Sequence, residues 1–203
     1  MNTNYRRQEW DEKHGRVDAA DNFVTHTALA EINKYHDIGV PNNKTILEIG
    51  VGYGDTLREL KYHRNKVFGC DISQVALDNI KDDVDGVLLT ENLKEAEPVD
   101  LAISHLTFQH NYEEEVARMI DDVNLKDDGI FSFQFASLNP EKTVLSELII
   151  NDINKSMLYF YSCDKMRSLI ELTNKEYVSQ TGPYWFPDPF SFEWYVFRVK
   201  NKS

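Results

Sequence analysis

Residues 44–73 read KTILEIGVGYGDTLRELKYHRNKVFGCDIS, and the order of residue types spells out strand, turn, helix and strand. Thr45 to Ile49 is short, mostly apolar and partly β-branched, as suits a parallel strand buried on both faces. Gly50, Gly52 and Gly54 follow at alternate positions. Glycine there permits a tight reversal and lets a ligand approach the backbone. Thr56 to Arg64 reads as a helix with Leu57 and Leu60 inward, and its unpaired first N–H groups point back at the turn. Val67 to Cys70 is the next strand, with Asp71 at its tip.

The spacing narrows the ligand. A dinucleotide turn needs Gly-x-Gly-x-x-Gly, its last glycine beside a pyrophosphate. That last position here is Asp55, whose carboxylate would repel the pyrophosphate. Glu48 adds a second negative charge just before the turn. Both suit a cofactor with positive charge near the glycines. Asp71 follows Gly50 by 21 residues, the distance of a carboxylate that accepts hydrogen bonds from a ribose diol. A cationic cofactor bearing a ribose points to S-adenosylmethionine.

EIGVGYG followed by GCDIS closely resembles motifs I and II of the class I S-adenosylmethionine-dependent methyltransferases. The resemblance implies that Glu48 lies near the methionyl end of the cofactor and that Gly50, Gly52 and Gly54 pass beneath it. It implies that Asp71 holds the ribose hydroxyls and that Ile72 packs on the adenine. Glu91 or Asn92, just past the third strand, would recognise the adenine amino group. The implied product is S-adenosylhomocysteine.

The rest of the chain is consistent with one such domain over residues 1–203. Hydrophobic residues make up 41% and charged residues 28%, the balance of a globular fold. The formal net charge of −12 argues against a broad electrostatic grip on nucleic acid or an anionic membrane. Cys70 and Cys163 are the only cysteines, so a reducing, cytoplasmic setting is expected rather than a disulfide framework. No apolar run approaches the roughly 20 residues that span a bilayer.

Residues 1–38 are expected to form a helical cap. YRRQEWDEKHG resembles the opening of many small-molecule methyltransferases, which makes Tyr5, Trp10 and His14 candidates for a lid over the substrate. Residues 21–38 have the apolar spacing of a helix, and His26 and His36 read as surface or partly buried side chains on it. Gln74 to Lys81 is the second crossover helix and Gly86 to Leu89 a short third strand. Asp82, Asp83 and Asp85 read as a solvated loop, since a calcium loop needs a longer run of oxygen ligands and its own glycine. No metal site is expected.

Leu101 to Ser104 is the fourth strand. In open α/β sheets ligands sit beyond the strand ends, where the strand order reverses, here between the first and fourth strands. Ser104, His105, Leu106, Phe108, Gln109 and His110 are therefore the best-placed residues beyond it. Ser104 is expected on the cofactor side and Phe108 on the substrate side. His105 or His110 is the candidate general base, since imidazole titrates near working pH. A helix over Glu113–Val123, a turn at Gly129 and a strand over Ile130–Phe135 complete the parallel part. The apolar stripe Leu145, Leu148, Ile149 and Ile153 reads first as core. Ser162 or Asp164 caps a further helix. Lys175–Gln180 and Ser191–Val199 form a closing strand pair. The aromatic loop between them carries Tyr184 and Trp185, which either cover the sheet edge or stack on a substrate.

These readings give an α/β fold, a doubly wound, mostly parallel seven-stranded sheet with helices on both faces and an antiparallel C-terminal strand pair. The expected activity is methyl transfer from S-adenosylmethionine to oxygen or nitrogen of a small molecule. Methylation of protein or RNA, or a non-catalytic cofactor-binding subunit, are the alternatives. No Asn/Asp-Pro-Pro-aromatic box follows the fourth strand, which further lowers nucleic-acid bases as acceptors.

Overall fold

The computed structural model describes residues 3–15, 29–138, 159–185 and 192–202. Seven strands form one sheet in the order β3-β2-β1-β4-β5-β7-β6. In chain order these are β1 (Thr45–Ile49), β2 (Lys66–Asp71), β3 (Gly86–Leu89), β4 (Val99–Ser104), β5 (Leu125–Leu138), β6 (Lys175–Trp185) and β7 (Phe192–Asn201). The first five run parallel, and β7 pairs antiparallel with both β5 and β6. The helices are α1 (Thr3–His14), α2 (Leu29–His36), α3 (Asp55–Tyr62), α4 (Gln74–Ile80), α5 (Glu113–Asp122) and α6 (Cys163–Glu171).

Burial on both faces explains the near-continuous apolar run in β1. Ile46 joins a core shared with Leu29 and Ile32 of α2, Leu57 and Leu60 of α3, and Leu77 and Ile80 of α4. Leu47 and Ile49 point the other way, into a core with Val116 and Ile120 of α5 and Leu169 and Ile170 of α6. The two faces alternate along the strand, as the pleat requires. Ser73 starts α4 by accepting a hydrogen bond from the Ala76 N–H at 3.2 Å, and Ser162 starts α6 by accepting from Lys165 N–H at 3.1 Å. Such caps satisfy N–H groups that the helix itself leaves unpaired.

The register places the site. Ile49 is opposite Cys70 of β2 and opposite Ser104 of β4. The next residue of each strand is Gly50, Asp71 and His105, so these three leave the sheet on one rung. The strand order turns at β1 and β4, and the crevice opens there.

Several expectations change. Gly129 does not sit in a turn before a separate strand; it lies within β5, beside an irregularity in the β4–β5 pairing. A Cβ there would come 2.7 Å from the Val99 carbonyl oxygen, so close approach of two backbones explains the glycine. His36 is fully buried, not at the surface. The expectations for His26 and for residues 21–28, and for the stripe Leu145 to Ile153, lie outside the described residues, as do those for the side chains of Tyr5 and Trp185. Among the described residues no helix is long and apolar enough to cross a membrane.

Candidate functional site

A cavity of about 550 Å3 opens where β1, β2 and β4 end. Its floor is the glycine turn. Gly50, Gly52 and Gly54 all have positive φ, at 82°, 52° and 79°, which side chains other than glycine rarely adopt. The three glycines serve different ends. A Cβ on Gly50 would lie 2.0 Å from Thr107 Oγ1, and one on Gly54 would lie 2.4 Å from Ile80 Cγ2. A Cβ on Gly52 would meet nothing within 4 Å, because that position faces the cavity. The turn thus packs tightly at both ends and leaves its middle open.

Two carboxylates flank the turn. Asp71 Oδ1 accepts from the Ser73 N–H at 2.9 Å, and Oδ2 from the Gly52 N–H at 3.4 Å. Burial pushes its pKa up to about 6 against these hydrogen bonds. Glu48 is buried beneath the turn, and burial pushes its carboxyl up to about 8. The Thr56 hydroxyl bonds to it, but its Oε2 has no partner among the described residues. A buried carboxylate oxygen left unmet is costly unless a ligand completes it. Both residues line the cavity.

Opposite the turn, the segment after β4 supplies His105, Thr107, Gln109 and His110 to the wall. Thr107 Oγ1 lies 3.2 Å from the Ile49 carbonyl oxygen and 3.0 Å from that of His105, which fixes the segment against β1. His105 is joined to two residues that arrive from elsewhere. Its Nδ1 is 3.2 Å from His36 Nε2, and His36 Nδ1 is 2.8 Å from Ser132 Oγ. His36 is held well below the usual histidine range by burial, with the neighbouring His105 and Arg198 adding to the effect. It therefore stays neutral.

Helix α1 forms the roof and is fastened to both walls. On one side Arg6, only 3% exposed, pairs with Glu115 of α5 and donates to the His110 carbonyl and to Asn111 Oδ1. On the other, Arg7 donates to the Ile72 carbonyl at 3.1 Å and to Glu91 at 2.7 Å. Asp11 accepts from Ser73 Oγ at 2.7 Å and from the Val75 N–H at 3.2 Å. Trp10 and His14 then reach the mouth. The Trp10 ring is 5.7 Å from His14 and 5.1 Å from His110, and His14 is 5.8 Å from Tyr53. Burial and the neighbouring Lys13 lower the His14 pKa to about 4.

The structure gathers most of the residues singled out from sequence. Glu48, the three glycines, Asp71, Ile72, Glu91, His105, His110, Trp10 and His14 all line the cavity. Four do not. Ser104 is fully buried and donates back to the Ile49 carbonyl at 3.1 Å, a tie between strands. Phe108 is fully buried, with ring centroids 4.8 Å from Phe133 and 6.0 Å from Phe131. Asn92 stands off the wall while Thr90 and Glu91 line it. Tyr184 packs edge-on against Tyr35 at 5.0 Å and donates to its carbonyl. Arg6, Arg7, Asp11, Thr107 and Trp194 were not indicated by any motif. Among the described residues no cluster of three or more His, Cys, Asp or Glu side chains is arranged to hold a metal ion.

Comparison with known proteins agrees with the fold. Residues 47–133 match a family model described as a methyltransferase domain. The search of curated proteins finds no match. Among solved structures, a geranyl diphosphate C-methyltransferase from Streptomyces coelicolor A3(2), in complex with S-adenosyl-L-homocysteine, superposes with a TM-score of 0.64 at 14% identity, covering 87% of this chain and 76% of that one. The CcbJ methyltransferase from Streptomyces caelestis gives 0.61 at 16% identity, over 88% and 89% of the two chains. A TehB-like S-adenosylmethionine-dependent methyltransferase from Corynebacterium glutamicum gives 0.59 at 17% identity, over 98% of each chain.

Proposed function

We propose that this chain, which has the class I S-adenosylmethionine-dependent methyltransferase fold, transfers a methyl group from S-adenosylmethionine to oxygen or nitrogen of a small molecule. The observation that carries the reading is the buried Glu48 carboxylate, with Oε2 unmet at the cavity floor. A cationic ligand group would satisfy that oxygen, whereas a pyrophosphate would set negative charge against it. The open face of Gly52 leaves room for a ligand to lie on the backbone. The residues present therefore fit this cofactor.

Asp71, at the end of β2, would accept hydrogen bonds from the ribose hydroxyls. Ile72 would cover the adenine, and Glu91, which Arg7 holds, would recognise its amino group. When bound, the cofactor supplies an activated methyl group on sulfur, and the C–S bonding pair stays with the sulfur as S-adenosylhomocysteine leaves. What the protein must add is alignment and exclusion of water, which α1 provides by roofing the cavity. His105, backed by neutral His36, is the group placed to take a proton from an acceptor hydroxyl. His110 shapes the same wall.

A small-molecule acceptor is supported by the cavity beneath α1 and by solved neighbours such as the geranyl diphosphate enzyme. We extend to this chain only the class and not that acceptor. The cysteines are unpaired thiols, which supports a reducing, cytoplasmic location. We read the chain as one domain with its N-terminal helix as lid.

Calorimetric titration separates the cofactor classes: S-adenosylmethionine is expected to bind and NAD is not. Asp71→Asn keeps the shape and removes the charge. It is expected to weaken S-adenosylmethionine by about 10-fold or more, as loss of hydrogen bonds to a charged acceptor predicts. Unchanged affinity would take Asp71 out of the site.

A further inference from the structure

The wall of the cavity carries uncharged polar atoms that the described residues leave unmet. Gln109 is 3% exposed, yet its Oε1 has no hydrogen-bond partner among them. His14 Nδ1 is buried and equally unmet. Such atoms are rare in folded proteins, because water has been removed and nothing put in its place. Both residues line the cavity. Neither belongs to the glycine turn or to the tip of β2. Trp10 stands between their two segments, with its ring close to His14 on one side and to His110, the residue after Gln109, on the other.

The charged groups around them are already engaged. Arg6 is held by Glu115 and Asn111, Arg7 by Glu91, Arg118 by Asp122 and the Thr90 carbonyl, and Lys13 lies with its ammonium 4.0 Å from the Trp10 ring centroid. Among the lining residues acids outnumber lysine and arginine by six to four. A phosphate or carboxylate would meet an amide oxygen and an acidic wall with its nearby guanidinium groups already paired.

We propose that the methyl acceptor is an uncharged, hydroxyl-bearing small molecule, held through its hydroxyl groups by Gln109 and His14 beside Trp10. A hydroxyl both donates and accepts. It therefore satisfies the amide in either orientation and the imidazole in either tautomer. His14 remains uncharged at neutral pH, since burial and Lys13 hold its pKa near 4. The inference rests on the cofactor reading above and assigns that site its acceptor class.

Three measurements test it. The first is stability. Gln109→Leu replaces an unmet amide by an apolar group of similar size, so the variant is expected to resist urea at least as well as wild type. A clear loss would mean that Gln109 is satisfied within the fold, and would overturn the assignment. The second is calorimetry with S-adenosylhomocysteine. Wild type, Gln109→Leu and His14→Phe are expected to bind it within about twofold of one another, since neither side chain serves the cofactor. A matching loss of affinity would move both residues into the cofactor site. The third is transfer of a labelled methyl group into a deproteinised cell extract, with the products passed over an anion exchanger. The label is expected in the unretained fraction. The purified acceptor should then show a KM raised about 10-fold by Gln109→Leu, the scale of one lost hydrogen bond. Label on retained phosphates or carboxylates, an unchanged KM, or no labelled small molecule from protein that binds S-adenosylhomocysteine would each overturn the acceptor assignment and leave the cofactor reading standing. Wild type that fails to bind S-adenosylhomocysteine would take down both.

Discussion

The glycine turn and the segment beyond β4 face each other across one cavity, and they are built by opposite means. The turn is local. Its shape comes from three glycines in five residues, each with positive φ, and its carboxylates come from the flanking strands. The opposite wall is assembled from afar. His105 is oriented by His36 from α2 and, through it, by Ser132 from β5. The roof is anchored by Arg6 on Glu115, more than a hundred positions away in sequence. The side built from backbone can hold a common cofactor. The side built from side chains can be reshaped for a particular acceptor.

Substitutions in the two regions should separate this contrast. The largest effect is expected at Gly50. Gly50→Ala forces a Cβ to within 2.0 Å of Thr107 Oγ1 at a φ of 82°, which should cost about 2–5 kcal/mol from left-handed strain and overpacking together. Gly52→Ala carries only the conformational term, about 1–2 kcal/mol, but puts a methyl group into the cavity where we propose the cofactor binds. Urea denaturation should rank Gly50→Ala well below Gly52→Ala, while calorimetry should show cofactor binding lost in both. Equal stability of the two variants would mean that close packing does not organise the turn. Next comes Arg6→Ala. It leaves Glu115 and the His110 carbonyl without their guanidinium, at about 1–3 kcal/mol, since Glu115 keeps some access to water. Hydrogen exchange should quicken in residues 3–15 and hardly change in β1 to β3. Faster exchange throughout would break the distinction between the walls.

The most gradual effect, small for each pH unit, is a dependence on pH. Burial raises Glu48 from 4.5 to about 8, so the cofactor-free fold holds a proton that the unfolded chain releases. The stabilisation is full below the unfolded value and is lost as pH rises through the folded one. Asp71 acts in the same sense from 3.8 to about 6. Between about pH 5 and pH 8 the Glu48 contribution should fall by at most ~1.4 kcal/mol per pH unit. Glu48→Gln should flatten that slope relative to wild type. Saturating S-adenosylmethionine should flatten it likewise, because a cation favours the ionised carboxylate. A slope unchanged by Glu48→Gln would show that the carboxyl is already ionised without ligand.

The same contrast decides what the sequence disclosed. Gly50, Gly52, Gly54 and Asp71 were legible as cavity residues because they lie within one βαβ unit, although Thr107 and Ile80, which press on Gly50 and Gly54, come from outside it. Phe108 was misplaced because an apolar residue past a strand end reads alike whether it enters a pocket or a core; only the arrival of Phe131 and Phe133 decides. His36 offered no sign of burial, since nothing within α2 announces Ser132 and His105. Arg6 and Arg7 lay in a polar stretch whose charge looked solvated. Tyr184 was left between two readings, and its contact with Tyr35 places it against α2.

One helix bolted to both sides of the crevice also limits how such a protein can be altered. Anyone grafting a new acceptor specificity onto this frame must transplant two stretches together, residues 3–15 and the loop that runs from His105 to Glu115. Moving either alone would strand Glu115 or Arg6 without its counterpart. In natural lineages the same coupling would show as paired change, the opening helix drifting in step with a segment half the chain away.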